Sequence, residues 1–111
     1  ERVRTANGEP VVYCVDQVPA KYLPKNFSSR HNSSIFSALE ESGDIHVAYA
    51  VTFIDPIGYH NQVSPILQCG RETALLVLKQ LHYDDNDRVV LYSRNYFRAD
   101  KFSFHVVRKR V

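Results

Sequence analysis

Arg2 and Arg4 are the two residues of this sequence whose type and spacing most clearly suggest chemistry. They lie in a strand-like stretch, where alternate side chains point to the same face, so both guanidinium groups share a side while Val3 turns away. Two neighbouring guanidinium groups repel each other unless an anion lies between them, and each can hold phosphate or carboxylate through two parallel hydrogen bonds. The alternative is a solvent-exposed face on which both arginines pair with carboxylates of the sheet.

Ser34 precedes a short apolar pattern of helical spacing and is a candidate N-cap. The first turn of a helix offers unpaired N–H groups and the positive end of the helix dipole, so this serine could help to hold an anion. Plain capping of the helix is the alternative, and the two roles are compatible.

The other reactive side chains favour structural interpretations. Cys14 and Cys69 are read as reduced thiols of a cytoplasmic protein, although they could form a disulfide in a secreted one. Arg98 and Asp100 are read as a pair that stabilises a turn. No metal site and no cofactor are predicted, because no metal-ligand spacing is evident among the five histidines, His31, His46, His60, His82 and His105.

Composition limits the class of protein. A chain of 111 residues with 44% apolar residues forms one domain with one core. The net charge of +2, with acids and bases mixed along the chain, is too small to mark a nucleic-acid surface by itself. No apolar run is long enough to cross a bilayer. Because the chain begins with Glu1 inside a strand-like stretch, we expect it to be part of a longer protein.

Local patterns predict about six strands and two helices. Asn7-Gly8 between two apolar stretches indicates a β-hairpin, and three strands near the end of the chain form a meander. The expected fold class is α+β, a mostly antiparallel sheet with short helices on one face. Strands are predicted at residues 3–5, 11–18, 46–54, 73–83, 88–98 and 102–107, and helices from Ser33 or Ser34 to Gly43 and over residues 61–69.

Four segments, in order, resemble the UTRA domain, the effector-binding half of GntR-type (HutC) transcription regulators. Residues 2–11, RVRTANGEPV, resemble the hairpin R-x-R-x-A-D/N-G-x-P-V of that family. The stretch that continues this hairpin to Val18-Pro19 resembles the strand leading into the crossing segment of that family. Residues 34–40, SIFSALE, resemble the helix start S-L-Y/F-x-x-L-E. Residues 75–104 resemble the closing meander, with HYD, LYS and YFRADKFSF in order. Together they cover nearly the whole chain.

The resemblance implies a chorismate-lyase-like fold and a role in regulation instead of catalysis. Residues 1–111 would be one ligand-binding domain, truncated at its N-terminal edge and lacking the winged helix-turn-helix that contacts operator DNA. It would form a homodimer in the cytoplasm and respond to a small anionic metabolite. Two alternatives remain: a chorismate-lyase-like enzyme, or an interaction and dimerisation domain without a ligand.

The resemblance also implies site residues. In family members that bind phosphorylated sugars, the positions of Arg2, Arg4 and Ser34 hold the phosphate. A tyrosine of the same wall is replaced here by Phe36, which can only pack against its neighbours.

Two further positions depart from the sugar-binding pattern. By this resemblance, sugar-binding members have carboxylates at the positions of Cys14 and Leu91. Neither a thiol nor an isobutyl group can accept hydrogen bonds from sugar hydroxyls as a carboxylate does. A buried polyol would lose roughly 1–3 kcal/mol for each missing partner, so we expect an anion with a less polar body. The resemblance also implies that Tyr92 and Ser93 flank a position that faces the pocket, so one of the two is expected to touch the effector, and Tyr92 is the one assigned to the site.

Overall fold

A β-hairpin opens the computed structural model, which describes residues 1–22 and 45–110. Strand β1 (Arg2–Ala6) pairs antiparallel with β2 (Glu9–Gln17). Asn7 and Gly8 between them have φ angles of 52° and 80°. Positive φ at both central residues is what a type I′ turn requires, and Asn-Gly favours that turn. The predicted hairpin is confirmed.

Three further strands complete one antiparallel sheet. They are β3 (Tyr49–Ile57), β4 (Leu75–Tyr83) and β5 (Val89–Arg98), and the spatial order of the five strands is β1-β2-β5-β4-β3. Every neighbouring pair is antiparallel. The predicted fold class, α+β with a mostly antiparallel sheet, is confirmed.

Strand β3 differs from its prediction at both ends. It begins at Tyr49 instead of His46, and it continues through Asp55 and Pro56, which were expected to end it. Proline lacks an N–H group, so it is tolerated in a strand only where that group is not needed. Because β3 is the edge of the sheet formed by the described strands, with β4 as its one neighbour there, Pro56 can lie opposite Leu76 without breaking a second ladder.

The strand predicted at residues 102–107 is wrong, since no strand is formed there. Strand β5 already pairs with β2 on one side and β4 on the other, so no edge is free beside it for a meander to continue. The apolar alternation instead packs aromatic rings together. The ring centroids of Phe102 and Phe104 lie 5.1 and 4.9 Å from that of Phe97, both edge to face.

The helices are short in the described part of the chain. A single 3₁₀ turn (Ala20–Tyr22) follows β2, and α1 (Val63–Ile66) replaces the longer helix predicted over residues 61–69. Gln68 has a φ of 57°, a left-handed conformation that stops the helix. The helix predicted from Ser33 or Ser34 to Gly43 lies outside the described residues. Within residues 1–22 and 45–110, no helix is long and apolar enough to cross a membrane.

Apolar side chains are buried on both faces of the sheet. On one face α1 covers a cluster that includes Leu67, Leu75 and Tyr96. On the other, Val12 and Cys14 of β2 pack with Phe97 and Phe102. A third cluster joins Leu91 to Ile45 and Val90 at the far end of β5. The sheet therefore has a packed face under α1 and a second face that is packed at both ends, with a concave region between them.

Candidate functional site

A cavity of about 230 Å³ occupies this second face of the sheet. Its walls come from four adjacent strands, β1, β2, β5 and β4. Because alternate residues of a strand point to the same face, the lining follows a two-residue period along each strand. The lining residues are Arg2, Arg4, Val12, Cys14, Asp16, Gln80, His82, Leu91, Ser93, Asn95 and Phe97.

Arg2 and Arg4 both line this cavity, as the alternation in β1 predicts. They differ in their partners. Arg2 Nη2 lies 3.2 Å from Asp16 Oδ2 in a salt bridge, whereas the Arg4 guanidinium lies close enough to the Cys14 thiol to influence its pKa. No carboxylate among residues 1–22 and 45–110 forms an ion pair with Arg4. The two alternatives from the sequence therefore apply to different residues: Arg2 pairs with a carboxylate of the sheet, and Arg4 faces the cavity without a carboxylate partner among the described residues.

Cys14 and Leu91 line the same cavity as the arginines. Both are buried, with 5% and 1% of their surface exposed. Burial raises the pKa of the Cys14 thiol, and the adjacent Arg4 guanidinium offsets part of that rise. A neutral thiol and an isobutyl group cannot supply the carboxylate acceptors that the resemblance associates with these positions.

The placement of Tyr92 in the site is wrong. Leu91, Ser93 and Asn95 of β5 line the cavity, so Tyr92 points to the opposite face of the sheet. Ser93 takes the position that faces the cavity. The other two predicted site residues, Ser34 and Phe36, lie outside the described residues.

Sequence reasoning missed a buried histidine that contacts Ser93, the residue named beside Tyr92 as a possible effector contact. His82 Nε2 lies 3.2 Å from Ser93 Oγ, and only 6% and 3% of these residues are exposed. Burial lowers the pKa of His82, and the charge of Asp16 acts in the opposite direction. His82 is therefore neutral near pH 7, with a ring nitrogen that either donates to or accepts from the serine hydroxyl.

The expectation of a ligand with a less polar body meets a cavity wall that also carries polar side chains. Besides the arginines, the described wall carries Asp16, Gln80, His82, Ser93 and Asn95. The two-residue period that paired Arg2 with Arg4 would have found them, because Asp16 follows Cys14 by two positions and Ser93 follows Leu91 by two. The cavity thus combines a cation at one end with hydrogen-bonding groups along its floor.

A smaller cavity of about 150 Å³ lies on the opposite face, between β5 and α1. Arg94 lines it, and the Nε atom of Arg94 is buried without a hydrogen-bond partner in the described part of the chain. Its guanidinium lies 6.0 Å from the ring centroid of Tyr96. This cavity presents one arginine against two aromatic walls, Tyr13 and Tyr96, whereas the larger one brings together two arginines and a set of polar side chains. The larger cavity is the better candidate for a ligand site.

No group of three or more metal-ligating side chains occurs in the part of the chain that the structure describes. The larger cavity carries side chains that can bind a charged or polar ligand. It offers a guanidinium for an anion, carboxylate and amide oxygens that accept hydrogen bonds, and a serine hydroxyl that can donate or accept.

The comparisons with known proteins agree on one family. The family model of the UTRA domain matches residues 1–103 of this chain. The curated relative NagR of Bacillus subtilis (strain 168), an HTH-type transcriptional repressor, is 23% identical over 103 residues, which are 93% of this chain and 42% of NagR. The chain therefore spans less than half the length of that relative.

Solved structures share the fold. The effector domain of PhnF from Mycobacterium smegmatis superposes with a TM-score of 0.85 at 23% identity, over 97% of this chain and 67% of that one. A GntR-family transcriptional regulator from Enterococcus faecalis V583 gives a TM-score of 0.84 at 21% identity, over 96% and 76% of the two chains. With the family match covering almost its whole length, this chain belongs to the UTRA domain family.

Proposed function

We propose that this chain is the effector-sensing domain of a GntR-type transcription regulator and that it binds a small anionic metabolite in the cavity of about 230 Å³. The observation that carries the proposal is the position of Arg4. Its guanidinium faces the cavity, beside a second arginine, with no carboxylate partner among the described residues. Arg4 is exposed to solvent, so its guanidinium is accessible to an anion that enters the cavity.

The proposal assigns the remaining site residues by their position. Cys14 and Leu91 form the apolar part of the floor. Ser34 and Phe36 belong to the proposed site through the family resemblance. Tyr92 has no part in it.

Regulation requires that the ligand distinguish two states of the regulator. A ligand shifts an equilibrium only by the difference between its affinities for the two states. We propose that effector binding changes the arrangement of a homodimer and so the spacing of winged helix-turn-helix domains on operator DNA, in the cytoplasm. The names of NagR, a transcriptional repressor, and of the GntR-family structures support this role.

The edge strand β3 supports the dimer. Among the described strands it pairs with β4 alone, so one row of its backbone groups has no strand partner there, and Phe53 and Ile54 on it are 53% and 49% exposed. An exposed apolar edge favours pairing with another chain. Sedimentation equilibrium of the full chain is expected to give a dimer, and a monomer at all concentrations would remove this part of the proposal.

Anion binding can be tested by isothermal titration or NMR titration of the full chain with glycerate, glycerol 3-phosphate and inorganic phosphate. At least one of these anions is expected to bind, and Arg4→Gln should weaken it by about tenfold or more, because a charge-assisted hydrogen bond is lost. Arg71→Gln is the matched control: it removes the same charge from an exposed residue that packs on Tyr59, away from the cavity. Absence of binding, or equal loss in both variants, would overturn the anion site.

A hydrolase is the second candidate, favoured by the 3.2 Å contact between His82 and Ser93. A histidine beside a serine can act as the base that activates a hydroxyl nucleophile. Hydrolysis of p-nitrophenyl acetate that is abolished by Ser93→Ala would establish this activity. If wild type and Ser93→Ala hydrolyse the ester at the same rate, His82 and Ser93 do not act as base and nucleophile, and they remain part of the binding surface.

A further inference from the structure

Asp16 lies in the same cavity as the two arginines, a position that sequence reasoning did not identify. It follows Cys14 by two residues on β2, and its carboxylate accepts a hydrogen bond from Arg2 at 3.2 Å. The side chains are 20% and 41% exposed, so the pair borders the cavity and remains in contact with solvent. Asp16 therefore belongs to the binding surface and also takes up part of the charge of Arg2.

The charges of the described lining residues leave a single positive excess. Arg2 and Arg4 contribute two positive charges and Asp16 one negative charge, and arginine and aspartate side chains are ordinarily charged near pH 7. His82 adds no charge there, because burial lowers its pKa. A ligand with one negative charge balances this excess, whereas a dianion would leave one charge uncompensated beside the Asp16 carboxylate.

Asp16 also defines what the body of a ligand should carry. An ionised carboxylate only accepts hydrogen bonds, and it has room for more than the one that Arg2 donates. Its neighbour across the β2–β5 ladder is Ser93, whose hydroxyl contacts His82. A ligand that reaches this part of the floor is best bound if it presents hydroxyl or ammonium donors.

We infer that Asp16 sets the charge class of the effector, which is a carboxylate monoanion bearing hydroxyl or ammonium groups and not a phosphate dianion. In this arrangement Arg4 holds the ligand carboxylate, and Asp16 with Ser93 contacts the donors of its body. The inference rests on the proposed function, because it describes the ligand of the same cavity.

Two probes with the same three-carbon, hydroxylated skeleton test the charge class. Glycerate carries a single charge, and glycerol 3-phosphate is mostly a dianion at pH 7.5. In titrations of the full chain, wild type is expected to bind glycerate more tightly than glycerol 3-phosphate. Asp16→Asn is expected to shift the ratio of the two dissociation constants by about tenfold toward the dianion, since a negative charge a few ångströms from the ligand is removed.

Three comparisons make the experiment specific. Asp16→Glu retains the charge and should keep the wild-type ratio. Asp55→Asn removes the same charge from the edge strand β3, where Asp55 Oδ2 lies 3.8 Å from Lys79 Nζ. This variant should also leave the ratio of the two dissociation constants unchanged. Propionate, which lacks donors, should bind more weakly than glycerate to wild type, and that difference should shrink in Asp16→Asn.

The outcomes separate this inference from the proposed function. A wild-type preference for glycerol 3-phosphate refutes the inference but leaves anion sensing intact. An unchanged ratio of the two dissociation constants in a folded Asp16→Asn variant has the same consequence. Failure of every probe to bind wild type, or binding that does not depend on Arg4, overturns the proposed function and this inference with it. If Asp16→Asn does not fold, the preference of wild type and that of Asp16→Glu decide the charge class.

Discussion

His82 Nε2 and Ser93 Oγ lie 3.2 Å apart on neighbouring strands, beneath the cavity that also holds Arg2 and Arg4. A neutral imidazole suits this location, because the pair is buried and a charged ring would lose its solvation. The cavity floor therefore carries a group whose protonation state is set by the fold itself.

Stability is expected to decrease at mildly acidic pH because of His82. Burial lowers the pKa of His82 in the folded state, so below its ordinary value of about 6.5 the unfolded chain takes up more protons than the folded one. The contribution of the neutral His82 ring to the free energy of unfolding is present in full above that pH. It is lost as the pH falls further, at up to about 1.4 kcal/mol per pH unit for one proton. The melting temperature of wild type should fall more steeply between pH 7 and pH 5 than that of His82→Gln.

The matched control for this titration is His105→Gln, which changes an exposed histidine. Its melting profile should keep the wild-type slope across the same pH range. A slope equally reduced in both variants, or unaffected in His82→Gln, would contradict the role of burial at His82.

Asp84 is expected to stabilise the turn between β4 and β5. Its Oδ1 accepts the backbone N–H groups of Asn86 and Arg88, both at 2.9 Å, and its Oδ2 lies 3.0 Å from Arg88 Nε. These hydrogen bonds lower the pKa of the carboxyl, and the largest effect is that of the backbone N–H of Arg88. Burial acts in the opposite direction. The contribution of these hydrogen bonds is present above the ordinary value of about 3.9 and is lost as the pH falls through the lower folded value.

Asp84→Ala should therefore lower the melting temperature at pH 7 and speed hydrogen exchange at the amides of Asn86 and Arg88. Asp85→Ala changes the exposed neighbour, whose Oδ2 lies 3.5 Å from Nδ1 of the exposed His46, and should leave both measurements near wild type. Equal melting temperatures for the two variants would show that the carboxylate of Asp84 does not hold the turn.

Tyr49 is expected to titrate at unusually high pH. Its hydroxyl donates to Asp87 Oδ1 at 2.6 Å, and this hydrogen bond raises the pKa of Tyr49 to about 12. The difference between the ultraviolet titrations of wild type and Tyr49→Phe isolates this phenol among the seven tyrosines. Asp87→Asn should bring the pKa back toward the ordinary value of about 10. A Tyr49 titration near 10 in wild type would mean that the contact with Asp87 is not formed in solution.

Sequence patterns identified the parts of the fold that local rules determine. Asn7-Gly8 specified the hairpin because a type I′ turn needs two residues that tolerate positive φ, and alternation placed Arg2 and Arg4 on one face. The failed strand at residues 102–107 has a non-local cause: its pattern is strand-like, but β5 has no free edge to receive it. Pro56 likewise could be accepted within β3 only because that strand lies at the edge of the sheet.

Sequence patterns predicted only some of the residues of the candidate site, for a related reason. Alternation predicts which residues of one strand share a face, but it does not say which strands are neighbours. The contact between His82 and Ser93 depends on the register of β4 against β5, and the pairing of Arg2 with Asp16 depends on that of β1 against β2. Tyr92 was misplaced by one position, and a shift of one residue moves a side chain to the other face.

Gly8 provides a direct test of the turn on which the arginine pair depends. Its φ is 80°, and an added Cβ would have no atom within 4 Å, so the only penalty of Gly8→Ala is the left-handed backbone itself. That penalty is about 1 kcal/mol, which corresponds to a fall of about 4–8 °C in melting temperature for a domain of this size. Gly58→Ala is the matched control, since it too has open space around the added atom but no positive φ, and it should be neutral or slightly stabilising. Equal effects of the two substitutions would show that the hairpin does not require a left-handed residue at Gly8, and the alignment of Arg2 and Arg4 would then have to come from the pairing of β1 with β2 alone.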